Sequence, residues 1–400
     1  LKAEWREIFD DSELSGHRCI DLKCIDDHCI GIFELNLTYP MLRYSTDGGN
    51  NWTTAFIDSS DRLDLVDLEY LESGFAIAGA RDSTYYVSKD GFKTWQKKRF
   101  PDTVGVYEVS FANDSLGAMR SSWLIEMEPP YPLQYYIAFT YDGTETWFES
   151  TPDFSDIKGN TYIDEIKWLS PQDFYVFAFN YEFRGLIIHS ADSGKTYQRV
   201  GNYQDRLSDI HFLSETEWVA CGHRSITNKD NPKYQIITKS YDAGKTWQTN
   251  GQLKGVCPIA VWVDPVKTNN IWVACADRKV KLDGKDRAFQ TGFHFSSDAG
   301  KTFTKISDYY ISEMVQLPWG KRPLIAIQKF DHIIQSDDNG KTWHPLEDGL
   351  PIDEEAARKR SSISGSAFNA WAVGPDFVLL GARNGDIYRL DKDQTKWQHI

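Results

Sequence analysis

The sequence has no apolar run long enough to cross a bilayer, and its opening "LKAEWREIF" has neither the basic nor the apolar segment of a secretory leader. No membrane insertion is expected, and no signal peptide is visible in this stretch. Cysteine is scarce, six in 400 residues, too few for a disulfide scaffold. The cluster "HRCIDLKCIDDHCIG" (Cys19, Cys24, Cys29) lacks the second ligand group of a structural zinc site, so neither metal nor cofactor is expected. Whether Cys24 pairs with Cys29 stays open. Cys257 and Cys275 lie on successive strand-like runs, "GVCPIAVWV" and "IWVACADR", and either face each other across a hairpin or remain buried thiols. Positive charge is also short. Lys and Arg number 44 against 58 Asp and Glu, a net charge of −14, which excludes a general affinity for nucleic acid or anionic membrane. Any attraction for anions must be local.

What the chain has in abundance is aromatic. With 14 Trp, 20 Tyr and 22 Phe in a composition that is 41% hydrophobic, it has the material for a large all-β core. One phrase recurs along it. It reads "STDGGNNW" (Ser45 to Trp52), "SKDGFKTW" (Ser88 to Trp95), "TYDGTETW" (Thr140 to Trp147) and "SADSGKTY" (Ser190 to Tyr197). Further on it reads "SYDAGKTW" (Ser240 to Trp247), "SSDAGKTF" (Ser296 to Phe303) and "SDDNGKTW" (Ser336 to Trp343), with a worn copy at "LDKDQTKW" (Leu390 to Trp397). Each follows three strand-like runs, and the phrase itself fits the turn into a fourth. Such a unit, recurring at the usual propeller period of roughly 40 to 50 residues, predicts a single all-β domain over 1–400. The expected fold is a β-propeller of eight four-stranded antiparallel blades, with seven as the alternative.

Turn chemistry accounts for every position of the phrase. An aspartate accepts N–H groups a few residues on, glycine takes positive φ, hydroxyls bond the local backbone, and the terminal aromatic plugs a gap beside a neighbouring strand. Asp47, Asp90, Asp142, Asp192, Asp242, Asp298 and Asp338 are therefore read as structural. Active-site aspartates do not come in seven equivalent copies.

The phrase resembles the Asp-box, or bacterial neuraminidase repeat, of sialidases, xyloglucan hydrolases, sortilin-type receptors and photosystem II assembly factors. The resemblance covers nearly the whole chain and implies the propeller fold. It also implies an extracytoplasmic home, secreted or periplasmic. The early Phe/Tyr-Arg-Ile-Pro segment of sialidases is missing, and the length allows one propeller where xyloglucan hydrolases have two. Sortilin-type receptors add blades and a cysteine-rich module. The organisation is most similar to photosystem II assembly factor-like propellers, although that family is usually seven-bladed.

Strand alternation places the boxes on the same face as the first-to-second turns and leaves the second-to-third turns on the opposite, upper face, where loops are free to vary. Aligning the ends of the second strands sets Arg81, Arg120, Arg224, Arg278, Lys329 and Arg383 in one column. Such cations would ring the mouth of a central channel and attract an anion, or else pair with acids of the next blade, as Asp82 beside Arg81 suggests. Longer upper loops add Trp123, Tyr131, Tyr135 and Tyr136, then Tyr181, Phe183 and Arg184, either a stacking surface for sugars or loop packing. The helical-looking "LPIDEEAARKRSS" reads as a solvated face.

Two functions follow. The first is a monomeric binding propeller whose upper face holds an acidic glycan or an anionic protein segment. The second is a glycoside hydrolase or lyase acting on an acidic polysaccharide at the same face. Hydrolysis needs two convergent carboxyls, and Asp82, Glu126, Glu128, Glu182, Asp331 and Asp386 stand in no motif. Elimination needs a base, for which His223 beside Arg224 and His332 near Lys329 are best placed. Structural histidines satisfy the same sequence. The N-terminal "EWREIF" and C-terminal "KWQHI" both resemble a fourth strand, so a last blade built from both termini is expected.

Overall fold

A computed structural model of the chain describes residues 18–35, 39–57, 65–100, 105–124, 133–155, 161–180, 185–200, 206–223, 235–251, 257–264, 266–276, 278–282, 285–289, 292–308, 311–321, 323–328, 332–352, 368–382 and 384–400. The described residues contain no helix and form eight four-stranded antiparallel sheets, the blades of a β-propeller. Every blade takes its strands in sequence order. Among the described residues only the sixth is interrupted, by a hairpin of Arg278–Leu282 and Lys285–Phe289 between its second and third strands. The last blade ends with Gln398–His399, so the C-terminal candidate supplies its fourth strand and the expected mixing of termini does not occur there. "EWREIF" and the helical-looking insertion from 353 onward lie outside the described residues.

Middle strands are covered on both faces. That is why their sequences run apolar without alternation, as in Ala76–Ala80 and Phe377–Ala382, where every residue is buried. Fourth strands such as Gln96–Arg99 and Gln398–His399 are polar and largely exposed.

Two compact units are present. The first holds 1–99 and 347–400. In it one apolar cluster joins blades one and two through Ile30, Leu42, Leu68 and Tyr86. Another joins the first blade to the last through Cys19, Phe33, Phe377 and Leu379. The second unit, 100–346, repeats the arrangement between blades three and four, four and five, five and six, and six and seven. Each fully buried Phe, Leu or Ile in these clusters contributes about 1.5–3 kcal/mol.

The boxes fold alike. In all seven the Ser or Thr hydroxyl donates to the aspartate Oδ1 at 2.7–3.0 Å and accepts the N–H of the box's fifth residue at 2.7–3.0 Å. The seventh residue gives its N–H to Oδ1 at 2.8–3.0 Å and its side chain to Oδ2 at 2.5–2.7 Å. These bonds hold positions four and five at positive φ, including non-glycine residues such as Phe92 and Thr144.

Position four is then used at both ends. Its N–H reaches the carbonyl of the blade's own first-to-second turn, as in Ser193 to Gln172 at 3.0 Å and Ala243 to Thr216 at 3.0 Å. Its carbonyl accepts a donor from the preceding blade: Tyr141 Oη to Ser193 at 3.0 Å, Trp272 Nε1 to Asn339 at 2.9 Å, and Arg389 of the last blade to Gly48 of the first. The worn eighth turn lacks the serine and is braced by Arg389 on Asp391 at 2.7 Å.

Gly194 sits at φ +86, and a Cβ there would lie 2.2 Å from the Phe139 ring of the preceding blade. Gly194→Ala is expected to cost about 2–4 kcal/mol, the sum of overpacking and left-handed strain. Gly91→Ala, at φ +68 with nothing within 4 Å, should cost the strain alone, about 1 kcal/mol. Denaturant titration of both variants checks the difference.

Candidate functional site

Each first strand carries a β-bulge against its second strand, at one equivalent place in all eight blades. The extra residue kinks the strand and supplies an internal ruler for the upper ends. Ala80 faces the residue before the bulge, and its counterparts are Phe33, Ser121, Ala178, Gly222, Cys275, Gln328 and Ala382. In the sequence Arg81, Lys329 and Arg383 each follow that place directly, and of these Arg81 is described. The other three do not follow it directly. Arg120 falls two residues earlier, Arg224 one later and Arg278 two later, and His223 takes the place equivalent to Arg81. Offsets of two residues move Arg120 and Arg278 along the chain from the place that Arg81 holds, so these two do not share its position.

Arg81 is exposed at its turn. Asp82 beside it accepts the Thr84 N–H at 2.9 Å and meets Arg99 of the fourth strand at 3.3 Å. Asp386, in the corresponding turn of the last blade, meets His399 of that fourth strand at 3.2 Å. Both acids tie an upper turn to an outer strand. Arg120 is held inside the protein, with Nε on Glu108 at 2.7 Å and Nη1 on the Ile163 carbonyl of the next blade at 3.0 Å. The acid it meets is on its own blade and the next blade offers a carbonyl, so the expected pairing with an acid of the next blade is corrected for Arg120. Arg278 opens the inserted hairpin, and His332 is half-buried at the start of His332–Ser336. For Trp123 and His223 only the strands are described. Arg224, Lys329, Arg383, Tyr131, Tyr181, Arg184, Phe183, Glu126, Glu128, Glu182 and Asp331 lie outside the described residues.

Aromatic rings gather at the upper ends of blades three and four. Tyr135 meets Tyr162 edge-on at 6.1 Å, Tyr162 stacks on Phe179 at 5.2 Å, and Tyr107, lifted by the bulge, keeps 42% of its surface exposed. Burial, with Tyr162, Asp164 and Tyr107 nearby, outweighs Arg120 and pushes the Tyr135 hydroxyl up to about 12, so it is a hydrogen-bond donor at any physiological pH. Tyr136 is buried and belongs to the core.

A set of acids missed in the sequence stands just after the bulges. Asp21, Asp67, Glu108, Glu165, Asp209 and Glu313 hold that place in six of eight first strands. Two of them reach across a seam to a backbone N–H of the next blade: Glu108 to Ile166 at 3.2 Å and Asp209 to Val261 at 3.0 Å. The repeated pattern of an acid before an apolar residue was the available clue. Although burial opposes it, the His211 contact and the Val261 N–H hold the Asp209 carboxyl below its ordinary range. Blades one and two are different, with Asp21 and Glu69 sharing Lys23, which lies 3.8 Å from Glu69, and with Asp67 as a like-charged neighbour of both acids.

Cys24 and Cys29 form a cross-strand disulfide with a Cα separation of 4.1 Å. Cys275 is a free buried thiol 3.6 Å from His294 Nδ1, and its register partner is Pro258, so the facing of Cys257 and Cys275 is corrected. Burial and Lys305 push the His294 pKa down to about 4, leaving the imidazole neutral. No group of three or more metal-ligating side chains occurs among the described residues.

No family model and no curated protein matches the chain. Solved structures do. The chain is similar to YCF48 bound to D1 peptide, at TM-score 0.52 and 15% identity over 83% of this chain and 92% of that one. It is similar to YCF48 from Cyanidioschyzon merolae, at TM-score 0.51 and 14% identity over 82% and 95%. It is also similar to the computationally designed protein Ika8, at TM-score 0.56 and 10% identity over 94% and 96%. These likenesses establish the propeller fold.

The acids predict a stability maximum. Burial and the neighbouring Asp67 outweigh Lys23 and raise Asp21 to about 6 and Glu69 to about 7. Their folded pKa values exceed the unfolded ones, so the penalty for ionising them is relieved as pH falls through 7 and 6. Thr196 and Thr302, by hydroxyl and then N–H, hold Asp192 and Asp298 at about 2, so that contribution is lost as pH falls below the usual carboxylate range. The melting midpoint should rise from pH 8 to about pH 5 and fall below about pH 4, in keeping with these shifts. Asp67→Asn should raise the midpoint at pH 8 and flatten that limb, as melts across the range would record.

Proposed function

We propose that this chain is a binding propeller of an extracytoplasmic compartment. Its upper face holds an anionic partner, an acidic glycan or an anionic protein segment, without turnover. The observation that carries this reading is the group of partly exposed rings, Tyr107, Tyr135 and Tyr162, at the upper ends of blades three and four. Faces of this kind stack on sugar C–H surfaces or on a peptide, and the Tyr135 hydroxyl stays a donor to an anion's oxygens.

Charge selection falls to the upper-turn cations, among which Arg81 is exposed. Arg120 adds no charge of its own, since Glu108 balances it, and acts by positioning the rings around it. Asp82 is engaged by Arg99 and Asp386 by His399 of their outer strands, which favours binding over two-carboxyl hydrolysis. The peptide carried by one structural neighbour supports a protein segment as partner. The Cys24–Cys29 disulfide supports an oxidising compartment.

A panel of uronate-, sialate- and sulfate-bearing glycans and acidic peptides tests the reading by calorimetry, with reducing ends and unsaturated products followed in parallel. Binding without product, weakened at least tenfold by Arg81→Ala or Arg224→Ala, is expected. Product formation abolished by His223→Ala would replace this reading with a carbohydrate-active enzyme.

A further inference from the structure

The segment of blade two that runs from its upper turn through its box to its outer edge is locally basic in this acidic chain. Between Arg81 and Arg99 there are six cations, Arg81, Lys89, Lys93, Lys97, Lys98 and Arg99, against two carboxylates, Asp82 and Asp90, for a local charge of +4 in a chain of −14. Five of the six are exposed and Lys98 is half-buried. Arg99 pairs with Asp82 and still keeps 65% of its side chain open to solvent.

Three of these cations are consecutive on the fourth strand of blade two, Gln96–Arg99, which ends its sheet. A single lysine is enough to discourage edge-to-edge aggregation. The other fourth strands manage with far less. Thr53–Ile57 and Gln248–Gly251 carry no charge, Gln198–Arg199 carries one cation, and the one on Thr304–Ser307, Lys305, is taken by Asp308 at 2.5 Å. The basic edge is therefore a property of this blade and not of the repeat.

We propose that Gln96–Arg99 is a docking edge for an acidic, extended segment of a partner protein, which adds as a fifth strand. This deepens the reading that the partner is anionic and rests on it. A strand sends alternate side chains to opposite faces, so Lys97 and Arg99 lie on one face of the edge and Lys98 on the other. An extended run of Asp or Glu has the same period and sets carboxylates against both. Its backbone pairs with the outer N–H and C=O groups of the edge while the charges fix which segment is accepted. A polyanionic glycan meets the charge but has no backbone ladder to offer.

The probe is a fluorescein-labelled octaglutamate, read by anisotropy on the full chain at two salt concentrations. Its controls are an octamer alternating Glu with Pro and a sulfated tetrasaccharide. Octaglutamate is expected to bind, to weaken with salt and to lose at least tenfold in affinity in Lys97→Glu/Lys98→Glu and in Lys93→Glu/Lys97→Glu, both melting near the wild-type midpoint. The proline peptide should bind at least tenfold more weakly than octaglutamate. Octaglutamate binding undiminished by the edge variants, or equal binding of the proline peptide or tetrasaccharide at this edge, overturns the docking proposal and leaves the anionic-partner reading standing. Absence of binding by every anionic probe overturns that reading, and the docking edge falls with it.

Discussion

A carboxylate and a hydroxyl two residues apart hold a left-handed turn, and one residue of that turn offers its N–H and its carbonyl to two neighbours. In the box of blade four, Asp192 and Ser190 fix Ser193 and Gly194, the Ser193 N–H meets Gln172 of the same blade, and its carbonyl meets Tyr141 of the blade before. Blades six and seven use Trp272 and Asn339 in the same way, and the last and first blades use Arg389 and Gly48. The aspartate needs no reaction to explain it. It fixes where a carbonyl sits, and that carbonyl receives the adjoining blade.

With the box faces engaged in this way, variation is left to the opposite turns and the outer edges. The acids after the bulges also belong to the framework, since Glu108 and Asp209 tie first strands to backbone N–H groups of the next blade. Much of the chain's negative charge is therefore structural. Arg81 at its turn and Lys97 and Arg99 on their outer strand are exposed cations at such turns and edges.

The repeat was legible because it is written in turn chemistry, where residue type and backbone conformation correspond closely. Ser45 to Trp52 and its six successors could be read as turns without coordinates, and the middle strands declared themselves by unbroken apolar runs. The column of cations was less legible. A bulge inserts a residue without marking it in the sequence, so counting along "LGAMRSS" or "VACADRK" aligned Arg120 and Arg278 with Arg81 when the ladder offsets them by two residues in opposite directions. The step of seven from Arg81 to the next box was sounder, because both ends of that interval lie on one hairpin. The acids of the first strands were passed over for a related reason. Each looked like the polar half of an ordinary alternation until the register brought them to one place.

The box aspartate acts on the turn and not on a ligand. The most direct measurement is the thermal midpoint of Asp242→Ala together with its affinity for whichever anionic probe the wild-type chain binds. A lowered midpoint with unchanged affinity below it is predicted, because Asp242 holds Thr246 and Ser240 on the face away from the upper turns. An unchanged midpoint, or affinity lost while the fold is intact, would contradict it.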